Sequence, residues 1–275
     1  MRDDAVTDDA AVVARLRSAG CVFAEDEAAL LLSAARSRAE LDALVGRRVA
    51  GEPLEQVVGW AEFAGLRIIV DPGVFVPRRR SEFLVSVAVG LAGWRTGDSG
   101  DVPLIVDLCC GTGALGLAVM NGLAGWAELH AADLDPAAVA CARRNVEPAG
   151  GRVYVGDLFG ALPGALRGRA DLLICNAPYV PTGDVAYLPA EARDHEPLVA
   201  LDGGLDGLAV LRRAAADAPG WLAPGGVLLV ETSDRQAAEM TAAMAAAGLS
   251  PSVHSDEDWA ATVVTGRHEA GCAGD

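Results

Sequence analysis

The sequence predicts an α/β protein, a mostly parallel seven-stranded sheet covered by helices on both faces, with a small helical domain in front of it. From Leu104 onward short apolar runs alternate with helical stretches, the pattern of βα units whose strands are buried on both sides. Residues 5 to about 50 instead carry Val, Leu and Ala at helical spacing, broken near Gly20 and Gly46. The length of 275 residues suits a core domain of roughly 200 residues plus an appendage.

Taken in order, residues 1–56 form the helical domain, which ends where Gly51, Glu52 and Pro53 interrupt the pattern. Residues 57–76 read as a hairpin linker, with Phe63, Leu66, Ile68 and Val70 leading to Pro72 and Gly73. The main domain, residues 77–270, opens with an amphipathic helix over Ser81 to Leu91 and a loop over Gly97 to Asp101. Strands are expected at 104–108, 128–132, 152–156, 171–175 and 226–231, with a final pair near 251–254 and 260–265. Helices fall at 114–123, 136–147, 207–221 and 235–247, with Pro136 and Pro224-Gly225 as punctuation. Residues 271–275 read as a flexible tail.

Composition narrows the function. Hydrophobic residues make up 52% and charged residues 22%, which is globular. No apolar stretch reaches the roughly 18 residues needed to span a bilayer, and Asp3, Asp4, Asp8 and Asp9 occupy the place of a basic leader. The expected location is cytoplasmic, without membrane attachment. A formal net charge of -16 disfavours bulk binding to nucleic-acid phosphates. The six cysteines show no C-x-x-C spacing and fall mostly in apolar segments, so reduced thiols and no metal are expected. His130 lies in a strand-like run as a structural histidine, and none of the four histidines is a catalytic candidate.

Two stretches carry chemistry. Ile105 to Gly116 is a strand, a glycine turn (Cys109, Cys110, Gly111, Thr112, Gly113) and a helix start, and Gly111, Gly113 and Gly116 match G-x-G-x-x-G. Asp133 follows Gly113 by twenty residues, where a carboxylate can accept hydrogen bonds from ribose hydroxyls, although Asp135 competes for that role. A dinucleotide and S-adenosylmethionine could both use such a loop. Asp107, at the end of the strand before the turn, is awkward for pyrophosphate and suits the positive ammonium and sulfonium of the methyl donor. Asp157 would sit near the adenine amine, with Leu158 and Phe159 flanking the ring. As helix caps, Asp107 and Asp157 would need no ligand at all.

The second stretch is Asn176-Ala177-Pro178-Tyr179, where the apolar run Asp171 to Cys175 ends. If that strand is parallel, its carboxyl end opens onto the ligand crevice of an α/β fold; as an ordinary turn, Asn and Pro would suffice. Asn176 is the candidate for the reacting centre.

From about residue 47 to 265 the chain resembles the HemK-type protein-glutamine methyltransferases, which methylate a glutamine side-chain amide in peptide chain release factors. The similarity is carried by Arg48 to Pro53, Gly59 to Leu66, Asp71 to Arg78, Asn176 to Tyr179, Glu191 to Leu201 and Leu222 to Glu231. It implies an S-adenosylmethionine-dependent methyltransferase fold with an N-terminal helical substrate-binding domain. It also implies S-adenosyl-L-methionine as donor, S-adenosyl-L-homocysteine as product, and a protein substrate such as a release factor. The acceptor it implies is a carboxamide, whose nitrogen is a poor nucleophile because its lone pair is delocalised, so the site must orient it. The side-chain oxygen of Asn176 and the backbone oxygen of Ala177 could accept its two N–H groups, with Tyr179 packed flat on the amide plane. Pro178 biases Ala177 toward the extended conformation such an acceptor needs. The chain departs from the family at Cys109, where the first loop glycine stands, at Ala177, and at Arg79-Arg80. These departures are also similar to a related actinobacterial group, so the resemblance implies the chemistry more firmly than the target. Arg78 matches the family and reads as a cofactor or substrate contact; Arg79 and Arg80 read as a solvated turn. Rival functions are an amino methyltransferase of a nucleobase or of a small molecule in specialised metabolism, an NAD-dependent oxidoreductase, and a non-catalytic binding protein that keeps the cofactor fold.

Overall fold

The computed structural model describes residues 3–92 and 102–269. The loop expected at 97–101, the tail at 271–275 and Cys272 lie outside the described residues. Helices α1 (Asp3–Ser18), α2 (Ala24–Ala34), α3 (Arg38–Val49) and α4 (Leu54–Val58) pack around Leu16, Leu31, Val45 and Val57. The start of α3 is fixed by its cap, since the Ser37 hydroxyl accepts from the Glu40 N–H at 3.2 Å. At the other end of the bundle Gly59, at φ 83°, takes the left-handed conformation that stops α4.

Strands β1 (Trp60–Phe63) and β2 (Leu66–Ile69) form the expected hairpin. Its two turn residues, Ala64 and Gly65, have φ of 49° and 72°, as a tight right-twisting hairpin requires. Asn145 anchors the hairpin to the main domain: its Oδ1 accepts from the Ile69 N–H at 2.8 Å, and its Nδ2 donates to the Ile69 and Thr112 carbonyls, both at 2.9 Å.

After α5 (Glu82–Ala92), the chain alternates through β3 (Leu104–Leu108), α6 (Ala114–Gly122), β4 (Glu128–Asp133), α7 (Pro136–Val146), β5 (Arg152–Val155) and β6 (Ala170–Cys175). It continues with α8 (Ala190–His195), α9 (Ala209–Asp217), β7 (Leu222–Thr232), α10 (Ala237–Ala246), β8 (Ser250–Asp256) and β9 (Ala261–Arg267). The seven strands are ordered β5-β4-β3-β6-β7-β9-β8, and β9 runs antiparallel to both its neighbours. Successive strand residues feed opposite layers. Ile105, Ile174 and Leu229 meet Val119 of α6, while Val106, Leu173 and Leu228 share a core with Leu211, Trp221 and Met240.

Pro224-Gly225 does not mark a strand boundary, because β7 begins at Leu222 and runs through both residues. The β6–β7 register shifts between Ala170 and Leu172, and this irregularity accommodates a proline within a sheet. Helix α9 ends four residues before position 221 because the tight Ala218–Gly220 turn, with a proline at its centre, replaces its last turn. The strand order reverses between β3 and β6. Their carboxyl ends therefore border the crevice where open α/β sheets bind ligands.

Candidate active site

A cavity of about 710 Å³ opens at this reversal point. One half is built on β3, β4 and β5. The turn after β3 is held by backbone bonds, with the Cys110 N–H donating to the Ala132 carbonyl at 3.1 Å and the Gly113 N–H to the Cys110 carbonyl at 2.7 Å. Cys109 sits at φ 55°, a left-handed conformation that usually falls to glycine, and its thiol packs against Cys175. Asp133 shapes the loop from the neighbouring strand: Oδ2 accepts the Gly111 N–H at 2.8 Å and Oδ1 the Asp135 N–H at 2.9 Å. Burial pushes its carboxyl upward, against the pull of these N–H groups.

Asp135 takes a different role from Asp133, capping α7 by accepting from the Ala137 N–H at 2.8 Å. Asp157 also reaches the cavity, where its carboxylate pairs with Arg213 at 2.6 Å. Leu158 lines the wall beside it at φ 45°. Phe159 does not flank the cavity as expected. It turns into the core and stacks on Trp221, with ring centroids 5.2 Å apart.

Two loop residues expected to meet the ligand stand behind the wall instead. Asp107 is fully buried; its Oδ2 accepts the Gly116 N–H at 2.9 Å and its Oδ1 is buried with no partner among the described residues. That environment raises its carboxyl to about 7, with desolvation the leading cause and Asp133 adding repulsion. Gly113 faces α7, where a Cβ would come within 2.5 Å of a Val146 methyl, and one on Gly116 would come within 2.7 Å of Leu129. These glycines serve close helix packing, while Cys109, Cys110, Gly111 and Thr112 form the cavity wall.

The other half is built on β6 and β7. Asn176 follows β6, and its Nδ2 donates to Ser81 Oγ and to Glu231 Oε2, each at 3.3 Å. No described residue donates to Asn176 Oδ1 or to the Ala177 carbonyl. The turn is clamped from outside: Gln236 Nε2 donates to the Tyr179 carbonyl at 2.9 Å, and the Gly203 N–H to the Val180 carbonyl at 2.8 Å. Gly203 and Gly207 lie so near the carbonyls of Pro178 and Tyr179 that side chains there would collide with them.

Tyr179 donates to Glu231 Oε1 at 2.9 Å, and its phenol is raised well above the usual tyrosine value, chiefly by burial. Arg80 overturns its reading as a solvated turn. Its Nε donates to Glu231 Oε1 at 3.1 Å, a second nitrogen reaches the Tyr179 hydroxyl, and the guanidinium lies 5.5 Å from the tyrosine ring centre. Arg79 stays outside the cavity wall, against Trp259. Arg78 lines the cavity, with its charge taken by the buried Glu196, which also accepts the Val76 N–H at 3.2 Å.

Glu231 and Ser81 were given no role from sequence, and Arg80 was given only that of a solvated turn. For Glu231 a signal existed: it is an acid at the end of the apolar run Val227 to Val230, as Asp107 is after Leu104 to Val106. His130 is a structural histidine, bonded at 2.9 Å to both Tyr154 and Glu128. The described cysteines are free thiols, and no described helix is long and apolar enough to cross a membrane.

The chemistry of the wall suits a cationic donor. Asp133, Asp135 and Asp157 face the β4–β5 half, where the Arg213 guanidinium is already paired with Asp157, and the Asp107 oxygen that has no partner among the described residues lies beneath the loop. Residues 67–192 match the Methyltransferase small domain. The chain is 40% identical over 197 residues to release factor glutamine methyltransferase of Streptomyces coelicolor, covering 72% of this chain and 68% of that protein. It is 37% identical over 204 residues to a 4-amino-L-phenylalanine/4-methylamino-L-phenylalanine methyltransferase of Streptomyces pristinaespiralis, covering 74% and 69%. The catalytic domain of hMettl16 shares the fold at a TM-score of 0.57 and 13% identity, over 83% of each chain. A Pyrococcus furiosus methyltransferase shares it at 0.51 and 17%, over 75% of this chain and 90% of that one. With this fold, this cavity and these relatives, the chain belongs to the release factor glutamine methyltransferase (HemK-type) family of S-adenosylmethionine-dependent methyltransferases.

Proposed function

We propose that the protein methylates the side-chain amide nitrogen of a glutamine in a protein substrate, a peptide chain release factor in the first instance. One observation carries the reading: at the carboxyl end of β6 two acceptors, Asn176 Oδ1 and the Ala177 carbonyl, belong to the cavity-lining turn and take no hydrogen bond from described residues. A primary carboxamide has two N–H groups to give them. With both held, the amide plane is fixed and its nitrogen is aimed rather than tumbling, which a weak nucleophile needs more than it needs a base.

S-adenosyl-L-methionine, when bound, would supply an electrophilic methyl group and leave as neutral S-adenosyl-L-homocysteine, the amide nitrogen exchanging one N–H for N–CH3 and its proton passing to solvent after transfer. In this reading Asp133 holds the ribose hydroxyls, and Asp157 and Leu158 hold the adenine. The turn from Cys109 to Gly113 shapes the wall around the methionine part, with Cys110, Gly111 and Thr112 on its surface. Asp107 acts from beneath by holding the helix start at Gly116. Arg78 braces the rim through Glu196. Tyr179 closes the acceptor side with its ring, and Pro178 keeps Ala177 extended.

The helical domain, residues 1–56, would receive the protein substrate. It reaches the cavity through Pro53, and Arg48, held within the domain by Glu27 at 2.7 Å, joins it to the segment after β6 by bonding Glu191 at 3.4 Å. The -16 charge supports a protein rather than a nucleic-acid acceptor.

The Streptomyces pristinaespiralis relative favours a second reading, transfer to the amine of a small aromatic amino acid. Labelled donor, offered in parallel with a purified release factor and with 4-amino-L-phenylalanine, separates the two. Label on the release factor supports the first reading; label on the amino acid alone replaces it with the second.

A further inference from the structure

We propose that Glu231 is a positioning residue that sets which way the Asn176 carboxamide faces, and that Arg80 is its countercharge. The inference rests on the amide-methylation reading of the same site. A carboxamide can sit in two orientations that differ only by exchange of its oxygen and nitrogen, and only one of them offers an acceptor to the substrate. The groups behind the Asn176 nitrogen decide between them. Glu231 Oε2 lies 3.3 Å from that nitrogen and, as a carboxylate oxygen, can only accept. Turning the amide over would set its oxygen against the carboxylate and its N–H groups toward the substrate's own N–H groups. Ser81 Oγ, also at 3.3 Å, can donate or accept and so does not choose.

The carboxylate doing this is itself fixed. Its other oxygen receives the Tyr179 hydroxyl at 2.9 Å and the Arg80 Nε at 3.1 Å, and its side chain is 3% exposed, against 48% for Arg80. A charge so buried needs a partner of opposite sign, and Arg80 reaches in from the solvent side to provide it. The register places Cys175 of β6 beside Val230 of β7, so the residues that follow, Asn176 just past β6 and Glu231 still within β7, stand side by side. Orientation is thus built into the sheet. Among the described residues the hydrogen bonds of the Glu231 side chain run to Asn176, Tyr179 and Arg80 and to no donor-half residue, so its effect on the reaction passes through Asn176 and Tyr179.

The test is Glu231→Gln, which keeps size and shape but can turn an N–H toward Asn176. The account predicts that kcat for release-factor methylation falls about 100-fold, as when a reacting group is held out of position. The donor Kd by calorimetry stays within about twofold, because nothing on the donor side has changed. In parallel, the side-chain amide of Asn176 is followed by 15N NMR in both proteins. Its two protons, both engaged in the wild type, should shift and exchange faster in the variant. Turnover within about twofold of wild type, or a donor Kd that worsens in step with kcat, overturns the proposal. Should the wild type methylate no release factor, the function reading fails on its own. The NMR arm still decides on Glu231, and an unchanged Asn176 amide signal overturns it.

Discussion

At the ends of β4 and β5 the carboxylates facing the cavity bond to backbone N–H groups or to a single arginine, whereas at the ends of β6 and β7 Asn176, Tyr179, Glu231 and Arg80 bond chiefly to one another. The first half is a cradle whose shape comes from the main chain and whose excess charge is negative. The second is a closed side-chain network in which Arg80 balances Glu231 and the unengaged groups are acceptors. A cradle of that kind discriminates by charge and shape, which suits holding a cationic donor. A network of that kind discriminates by the direction of hydrogen bonds, which suits orienting a neutral amide.

The largest effect expected is on the acceptor half. Asn176→Ala should lower the methyl-transfer rate by about 100-fold or more, since both the acceptor and its orientation go together. Gly207→Ala should follow, because the added methyl collides with the Tyr179 carbonyl and Gly207 already sits at φ 78°. We expect about a tenfold loss of turnover with a lowered melting temperature, the mark of a displaced turn on a strained backbone. Steady-state kinetics and a thermal melt check both.

On the donor half, Asp133→Ala frees the Gly111 and Asp135 N–H groups, and calorimetry should show the donor binding about 10–100-fold more weakly, in line with roughly 1.5–3 kcal/mol for a charged hydrogen-bond partner. The smallest effect lies beneath it. Asp107 holds its proton up to about pH 7 when folded, well above the ordinary aspartate value near 4. Its contribution to stability is therefore fully present below about pH 4 and is lost as pH rises through about 7. Asp107→Asn should flatten that part of the melting-temperature profile, and an unchanged slope would assign it to other groups.

How much of this was legible differs between the halves for a physical reason. The donor half is written in one contiguous stretch, Ile105 to Gly116, plus acids at successive strand ends, so strand alternation and the glycine spacing revealed both fold and loop. They did not reveal which loop residues face inward. Asp107 lies on the buried side of the strand end, and Gly113 faces a helix that the spacing does not show. Phe159 failed for a similar reason, since the tight Leu158–Ala161 turn sends neighbours to opposite sides.

In the acceptor half Asn176 could be read from its strand end, yet its partners come from Ser81 and Glu231, 95 and 55 residues away. Sheet order alone brings β7 beside β6, and periodicity does not give sheet order. Arg80 looked, like Arg79, to be part of a solvated turn because nothing local distinguishes a side chain that reaches a buried carboxylate 151 residues on.

The division of labour between the halves is tested most directly by measuring two quantities on two variants. These are the donor Kd, and the single-turnover methyl-transfer rate at saturating donor, for Asn176→Ala and Asp133→Ala. The account predicts a crossed pattern, with Asn176→Ala losing rate and largely keeping Kd, and Asp133→Ala losing Kd and recovering most of its rate once donor saturates. Parallel losses in both quantities for both variants would contradict it.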